Sequence, residues 1–415
     1  MTQDIKKKTV SGTVLIGVYA MYFMISGAGA TTPGIAAMGV AFPDIPQSTI
    51  TMINTLPSLT IILGTLLMGA IAGKKIAYKP AAILSLIIYI VFGIMPTFMF
   101  GSASFYAILV TRVCCGFGMG LVAPLGAAVI TNLFTDKDQR SKYLGRGGAW
   151  QQLGCVVLTM VGGWLAAVDV KYCFLAYLCG LVCLIVVLFC YKDTPQTQLH
   201  VDEATNAPKE KTHISGLAWV FIIIMALAQM FCSPTMMNFS NLMATQIPGQ
   251  DATTVAGIAG TLLSVFVLAG ALGSALLNKF IKTFGRFNGL VQFLICAIGM
   301  FVIAGAHSVA MFTVGICIFG FGWCTAIPTG NLECANLTNK AGLALVASLL
   351  WAIMNVGNFF SSYWLAFIYS IVGQNFAMPL YIGAVLFIIL GVIWALVNLG
   401  NKAWKKGAKD SQSDE

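Results

Sequence analysis

Charge is what this chain has least of. Asp, Glu, Lys and Arg together make up 9% of its 415 residues, with 14 acids and three histidines in all. A soluble domain carries about 25% charged residues, so this sequence cannot wrap a globule in a water-compatible surface. Soluble enzymes, nucleic-acid binders and disordered scaffolds are excluded on that ground. Chemistry-bearing patterns are missing as well. The chain holds no G-x-x-x-x-G-K-[ST] phosphate loop, its apolar runs hold no paired carboxylates and no Ser–His arrangement, and His200, His213 and His307 fall outside those runs. The twelve cysteines sit inside apolar runs, with no C-x-x-C pair and no neighbouring histidine. Buried thiols of that kind pack as small hydrophobes, which argues against a disulfide framework or a metal site. Neither enzymatic activity nor a cofactor is expected.

Hydrophobic residues fill the space that charge leaves, at 58% of the chain, and the mean hydropathy is +0.88. Apolar runs of about 18 residues or more mark membrane helices. Twelve such runs lie at 12–36, 48–72, 80–100, 104–134, 144–167, 172–191, 215–243, 252–280, 288–305, 309–335, 341–369 and 376–399. None shows the short alternating pattern of a barrel strand, and the first lacks the cleavage site of a removable signal. The fold class expected is an all-α polytopic membrane protein.

The formal net charge of +9 acquires a meaning once the 23 basic residues are placed between these runs. With the N-terminus in the cytoplasm, 21 of them fall on the inner side, only Lys171 falls outside, and only Arg112 lies in the membrane interior, away from the ends of a run. The positive-inside rule therefore predicts both termini in the cytoplasm and an even number of helices in a cell membrane. The one long polar stretch inside the chain, 193–214, contains Pro195 and Pro208 and reads as a cytoplasmic linker. It divides the chain into a bundle over 1–192, a bundle over 215–400 and a tail over 401–415.

The two bundles look related. The fourth run carries Gly116-Phe117-Gly118, Pro124, Gly126, Asn132-Leu133 and Lys137. The tenth carries Gly320-Phe321-Gly322, Pro328, Gly330, Asn336-Leu337 and Lys340, at an offset of 204 until one deletion precedes the lysines. Parallel six-helix repeats place a solute site near the bilayer midplane, between the halves.

These residues resemble the major facilitator superfamily of secondary transporters over essentially the whole chain. Arg112-x-x-x-Gly116-x-Gly118 is similar to the family's fourth-helix pattern, in which the arginine is associated with proton coupling. The loop after the second run, Gly69 to Gly73-Lys74-Lys75 and Lys79, keeps the family's first glycine and its basic cluster but lacks the acid. Leu158 to Gly163 keeps only the last two glycines of the antiporter signature, and Gly273, Lys279, Lys282 and Gly285-Arg286 resemble a degenerate second copy of the loop. The resemblance implies two six-helix bundles working by alternating access.

Residues able to carry a transport site are few. Arg112 lies about eight residues, or ~12 Å at 1.5 Å per residue, below the outer end of its run. A charge at that depth costs about 2.5–3.5 kcal/mol. It reads as a positive charge in a cavity wall facing an anionic solute, with a structural hydrogen bond to a neighbouring helix as the plainer alternative. Glu333 is the one acid within a run and is the candidate proton carrier beside Arg112; an interfacial pairing with a lysine is its alternative. Tyr22, Trp150, Gln151, Gln229, Asn238, Trp323, Asn331, Asn355 and Asn358 complete the candidate substrate site, with Tyr19, Ser26, Gln152, Ser233, Thr325 and Thr329 as further polar groups on the same runs. Polar side chains in membrane helices bond helices as readily as they bind solutes.

The expectation is secondary transport of a small organic solute, an organic anion by proton symport, with efflux of hydrophobic drugs or metabolites as the rival reading. The expected partners are that solute, protons and the lipid bilayer, with no nucleic acid, for a chain that works as a monomer.

Overall fold

A chain this apolar must satisfy its backbone polar groups internally once it leaves water, and helices do so segment by segment. The computed structural model describes residues 12–73, 75–101, 104–134, 137–193, 213–247, 249, 251–339 and 342–400, and apart from isolated bridges they form helices and short connections. Among the described residues, eleven segments are long and apolar enough to cross a membrane. One of them, Ala252–Ala304, runs 53 residues, about 80 Å at 1.5 Å per residue. That is more than twice a hydrocarbon core of ~30 Å. It is broken at Gly285, whose φ of 49° a side chain would disfavour, followed by a 3-10 turn to Phe287. Counting its two parts gives twelve.

We label them α1 (Gly12–Ala41), α2 (Gln47–Ile71), α3 (Tyr78–Met99), α4 (Phe105–Leu133), α5 (Lys137–Val168) and α6 (Val170–Cys190) in the first half. The second half contains α7 (Gly216–Met237, continued by Phe239–Gln246), α8 (Ala252–Phe284), α9 (Asn288–Ala304), α10 (Val309–Asn336), α11 (Leu343–Val372) and α12 (Met378–Gly400).

Two helices depart from the uniform α-helix expected. α1 changes to 3-10 geometry over Gly27–Gly34, where the sequence GAGATTPG offers small residues and Pro33, which has no N–H to donate. α6 opens with a 3-10 stretch over Val170–Leu178. α5 starts at Lys137 rather than 144, so Arg140 and Lys142 stand on helix rather than loop. Asp251 caps α8, accepting from Thr253 Oγ1 at 2.5 Å and Thr254 N at 3.1 Å. Those hydrogen bonds hold its carboxyl below the usual carboxylate range.

The buried apolar side chains sort into two clusters. One runs from Val14 to Tyr191 and takes in Met237 and Ala256; the other runs from Phe221 to Trp394. Described basic residues gather at one end of the bundle, on Lys75, Lys79, Arg140, Lys142, Arg146, Lys192, Lys279, Lys282 and Arg286. Lys171 stands at the other end, 3.0 Å from Asp169. We call these the basic end and the far end. Lys137 opens α5, and the other basic residues of the expected inner loops, among them Lys74, Lys340 and those of both termini, lie outside the described residues, as do 194–212 of the expected linker. The linker's first residue is anchored: Asp193 accepts from Lys79 N at 3.1 and 3.3 Å, which caps the start of α3.

The repeat seen in the sequence has a packing counterpart. A Cβ on Gly118 of α4 would lie 2.7 Å from Tyr89 N of α3, and one on Gly322 of α10 would lie 2.9 Å from Cys296 N of α9. The same residue of each repeat lets the helix before it touch backbone to backbone. Valine at either position is expected to cost about 1–3 kcal/mol through overpacking, read as a lowered melting temperature of purified protein. A neutral Gly118→Val would contradict the packing.

Candidate functional site

Between the two halves lies a cavity of about 370 Å³. Its wall is built from helix faces one turn apart. α5 supplies Gln151, Cys155 and Thr159, and α10 supplies Phe319, Trp323 and Ile327, each set at i, i+4, i+8. α7 contributes Gln229, Cys232, Ser233 and Met236, while α8 adds Leu263, Phe266 and Val267. The 3-10 segment of α1 passes along one side with Gly29 and Thr32, and α11 reaches in with Trp351 and Asn358. No Asp, Glu, Lys, Arg or His is among the lining residues.

The polar groups of this wall are tied to one another. Gln151 Nε2 donates to Ser26 Oγ at 3.0 Å. Asn54 of α2 accepts from Thr31 Oγ1 and donates to Thr32 Oγ1 at 3.0 Å, which pins the 3-10 segment of α1 to α2. Asn358 is the busiest of them. Its Oδ1 lies 2.5 Å from Ser233 Oγ and accepts from Gln229 Nε2 at 3.5 Å, while its Nδ2 donates to Ser58 Oγ at 2.6 Å. One amide thus joins α7 and α11 of the second half to α2 of the first.

From Asn358 towards the far end the halves are closed by uncharged hydrogen bonds. Ser362 Oγ stands 3.0 Å from Thr51 Oγ1 and 2.7 Å from Thr55 Oγ1, and Ala36 N donates to Ser240 Oγ at 3.2 Å. On the opposite side of the cavity Ser264 Oγ donates to Val156 O at 3.1 Å and Trp164 Nε1 to Thr261 Oγ1 at 3.4 Å. Gly163 and Gly260 meet there so closely that a Cβ on Gly260 would fall 2.8 Å from Gly163 Cα.

Of the residues expected at the site, Gln151, Gln229, Trp323 and Asn358 line the cavity, with Ser26, Gln152 and Ser233 beside them. The others are placed elsewhere. Arg112 is 0% exposed inside the first half. Its Nε donates to Ile53 O at 3.2 Å and its Nη2 to Tyr177 Oη at 2.8 Å, and its Nη1 lies 3.5 Å from Cys115 Sγ. The rings of Tyr177 and Phe174 flank the guanidinium at 5.1 and 5.8 Å. Glu333 is buried in the second half, accepting from Asn398 Nδ2 at 2.9 Å. Tyr22 is buried beside Gly126 and Gly147, and Trp150 faces a separate groove. Asn238 accepts from Tyr369 Oη at 3.1 Å, Asn331 donates to Ile327 O, and Asn355 donates to Trp351 O. Neither Arg112 nor Glu333 lines the cavity.

The sequence reading passed over Asn54, Thr159, the thiols of Cys155, Cys232 and Cys324, and the rings of Phe266, Phe319 and Trp351. A signal for part of this was present: Gln151, Cys155 and Thr159 form a polar stripe of period four in an apolar run.

The family model of the Major Facilitator Superfamily matches residues 14–362. The chain belongs to this superfamily. It is a multi-pass membrane transporter and not an enzyme. No curated protein matches the sequence. Among solved structures it is similar to a bacterial homologue of the human lysosomal transporter Spinster in an inward-facing and occupied conformation, with a TM-score of 0.72 at 14% identity, over 93% of this chain and 95% of that one. It is also similar to the POT family transporter PepTSo, with a TM-score of 0.71 at 13% identity over 95% and 98% of the two chains. The nucleoside transporter NupG gives 0.69 at 14% identity over 94% and 98%. At these identities the likeness is one of fold.

Arg112 generates a sharp expectation. Removing it leaves the Tyr177 hydroxyl and the Ile53 carbonyl without their donor inside a membrane bundle, at about 1–3 kcal/mol for an unsatisfied buried group. Arg112→Leu should lower the melting temperature of the purified transporter, and Arg112→Lys should not restore it, because an ammonium cannot reproduce the guanidinium fork. A fully stable Arg112→Leu variant would show that these contacts carry no weight.

Proposed function

We propose that this transporter carries an uncharged organic solute with an aromatic or otherwise apolar face and several hydrogen-bonding groups, by alternating access between its two halves. The observation that carries this reading is the charge-free wall of the cavity. A bound ion would need a counter-charge, because transfer of a charge from water without one is far costlier than transfer of a hydrogen-bonded amide or hydroxyl. The amides of Gln151, Gln229 and Asn358 supply directional donors and acceptors. Trp323, Trp351, Phe266 and Phe319 supply flat apolar area.

The organic anion favoured on sequence grounds needed the Arg112 guanidinium in the wall. That group is occupied by Tyr177 and Ile53 instead, so we read it as the tie that fixes α2, α4 and α6. The rival reading, export of hydrophobic compounds, shares the aromatic wall and differs in the direction of flux.

We place the basic end in the cytoplasm by the positive-inside rule. The hydrogen-bonded far end is then the closed outer side, and the arrangement is inward-facing. Return to the outward-facing state requires the bonds of Ser362, Ser240 and Asn358 across the halves to open together. Asn358 both lines the cavity and donates to Ser58. A solute competing for that amide weakens the closure while it binds, which links occupancy to movement. For the energy source we propose Glu333 as the proton-coupling group. It is the buried acid among the described residues of the second half, and a proton carrier needs a titratable group within a moving bundle.

The test is a melting-temperature screen of purified protein against matched uncharged, cationic and carboxylate solutes, since a ligand of the folded state raises its stability. Counterflow into proteoliposomes follows for whatever stabilises. Uncharged heterocycles or glycosides should stabilise, and Gln229→Leu should raise the solute's KM about tenfold, the loss of a hydrogen bond worth ~1.4 kcal/mol. Stabilisation by carboxylates alone, with KM raised by Arg112→Gln in folded protein, would overturn the reading.

A further inference from the structure

A second recess lies on the flank of the first half, a groove of about 620 Å³ between α1, α5 and α6. Its floor is α1, where Ile16, Tyr19, Ala20 and Phe23 follow i, i+3, i+4, i+7. α6 repeats the same spacing from Cys179 to Val186, and Trp150 of α5 forms the other wall. The groove shares no residue with the central cavity. α6 packs on α1, α3 and α5 of its own half. Ile16 is 53% exposed, Val182 63% and Trp150 43%, so in a membrane the groove opens onto hydrocarbon.

Its chemistry is uneven along its length. Tyr19 and Trp150 stack at 6.1 Å with 14° between their planes. The Tyr19 hydroxyl is buried, has the Arg146 guanidinium as its charged neighbour, and finds no acceptor for its own proton. Arg146 stands one turn before Trp150 on α5, towards the basic end, and lies 5.4 Å over the Tyr143 ring. Lys142 stands a further turn along the same face. A hydrocarbon trough therefore ends, on the basic side, at an unsatisfied hydroxyl beside an exposed guanidinium.

We propose that this groove is a binding site for one acyl chain of an anionic glycerophospholipid from the leaflet at the basic end. The chain lies along α1 between Trp150 and Val182, and the phosphate is held by Arg146 with the Tyr19 hydroxyl. Charge complementarity selects the occupant. The phosphate of either lipid fits the guanidinium and the hydroxyl, but a zwitterionic lipid would also bring its ammonium against the exposed Arg146 and Lys142. An anionic lipid brings no second cation, on the side where anionic lipid attracts basic segments.

The experiment uses the full-length protein in nanodiscs with phosphatidylglycerol carrying a photoreactive acyl chain, competed by unlabelled phosphatidylglycerol or phosphatidylcholine. Cross-links are expected on the groove faces of α1 and α6. Phosphatidylglycerol should compete about fivefold better, the factor that one basic residue near an anionic surface gives. Arg146→Gln should erase that preference. Val182→Trp, which fills the groove from its lipid-facing side, should remove the cross-links with the melting temperature unchanged. Cross-links spread evenly over the lipid-facing helices, persistence in a folded Val182→Trp variant, or equal competition by the two lipids would each overturn the proposal.

Discussion

The halves of this transporter meet through hydrogen bonds between uncharged groups, and much else in the structure follows from that. Hydroxyl and amide pairs between membrane helices contribute about 0.6 kcal/mol each on average. A row of them holds one end of the molecule shut without fixing it there. Thr51, Thr55 and Ser58 of α2 face Ser362 and Asn358 of α11, and the glycines of α5 and α8 bring the opposite side together. An ion pair in the same place would have to be separated in a low-dielectric medium at each cycle, at a far larger cost. The scarcity of charge in the sequence is therefore part of how the halves can move.

The two charges that remain buried among the described residues, Arg112 and Glu333, lie inside one half each rather than between them. Arg112 joins α2, α4 and α6 through the Ile53 carbonyl and the Tyr177 hydroxyl. Glu333 joins α10 to α12 through Asn398. Their positions leave the cavity wall to amides, hydroxyls, thiols and rings. Rigid interiors with a soft, uncharged boundary suit a molecule whose halves move as units around a fixed site.

The helices were legible because lipid leaves a chain little choice, and each apolar run met the length that a bilayer demands. The repeat was legible because Gly118 and Gly322 do the same steric job. Where α1 turns to 3-10 geometry, hydropathy carried no sign of it; the small residues and Pro33 did. The site was read only in part. Depth in the membrane identified Arg112 as unusual but could not tell which way the side chain points, since a fully satisfied arginine and a solute-facing one occupy the same run. Asn54 and Thr159 were missed because a single polar residue in an apolar run looks the same whether it bonds a helix or lines a cavity. Only the three-dimensional meeting of α1, α2, α5, α7, α10 and α11 separates the two.

The central claim is that the cavity lies between the halves, sealed at the far end and reached from the basic end. Gln152 lines it and is exposed. In a cysteine-free background, Gln152→Cys in sealed, oriented vesicles should react with a membrane-impermeant thiol reagent added on the side of the basic loops, and solute should slow that reaction. Modification from the opposite side in the absence of solute, with none from the basic side, would contradict the account.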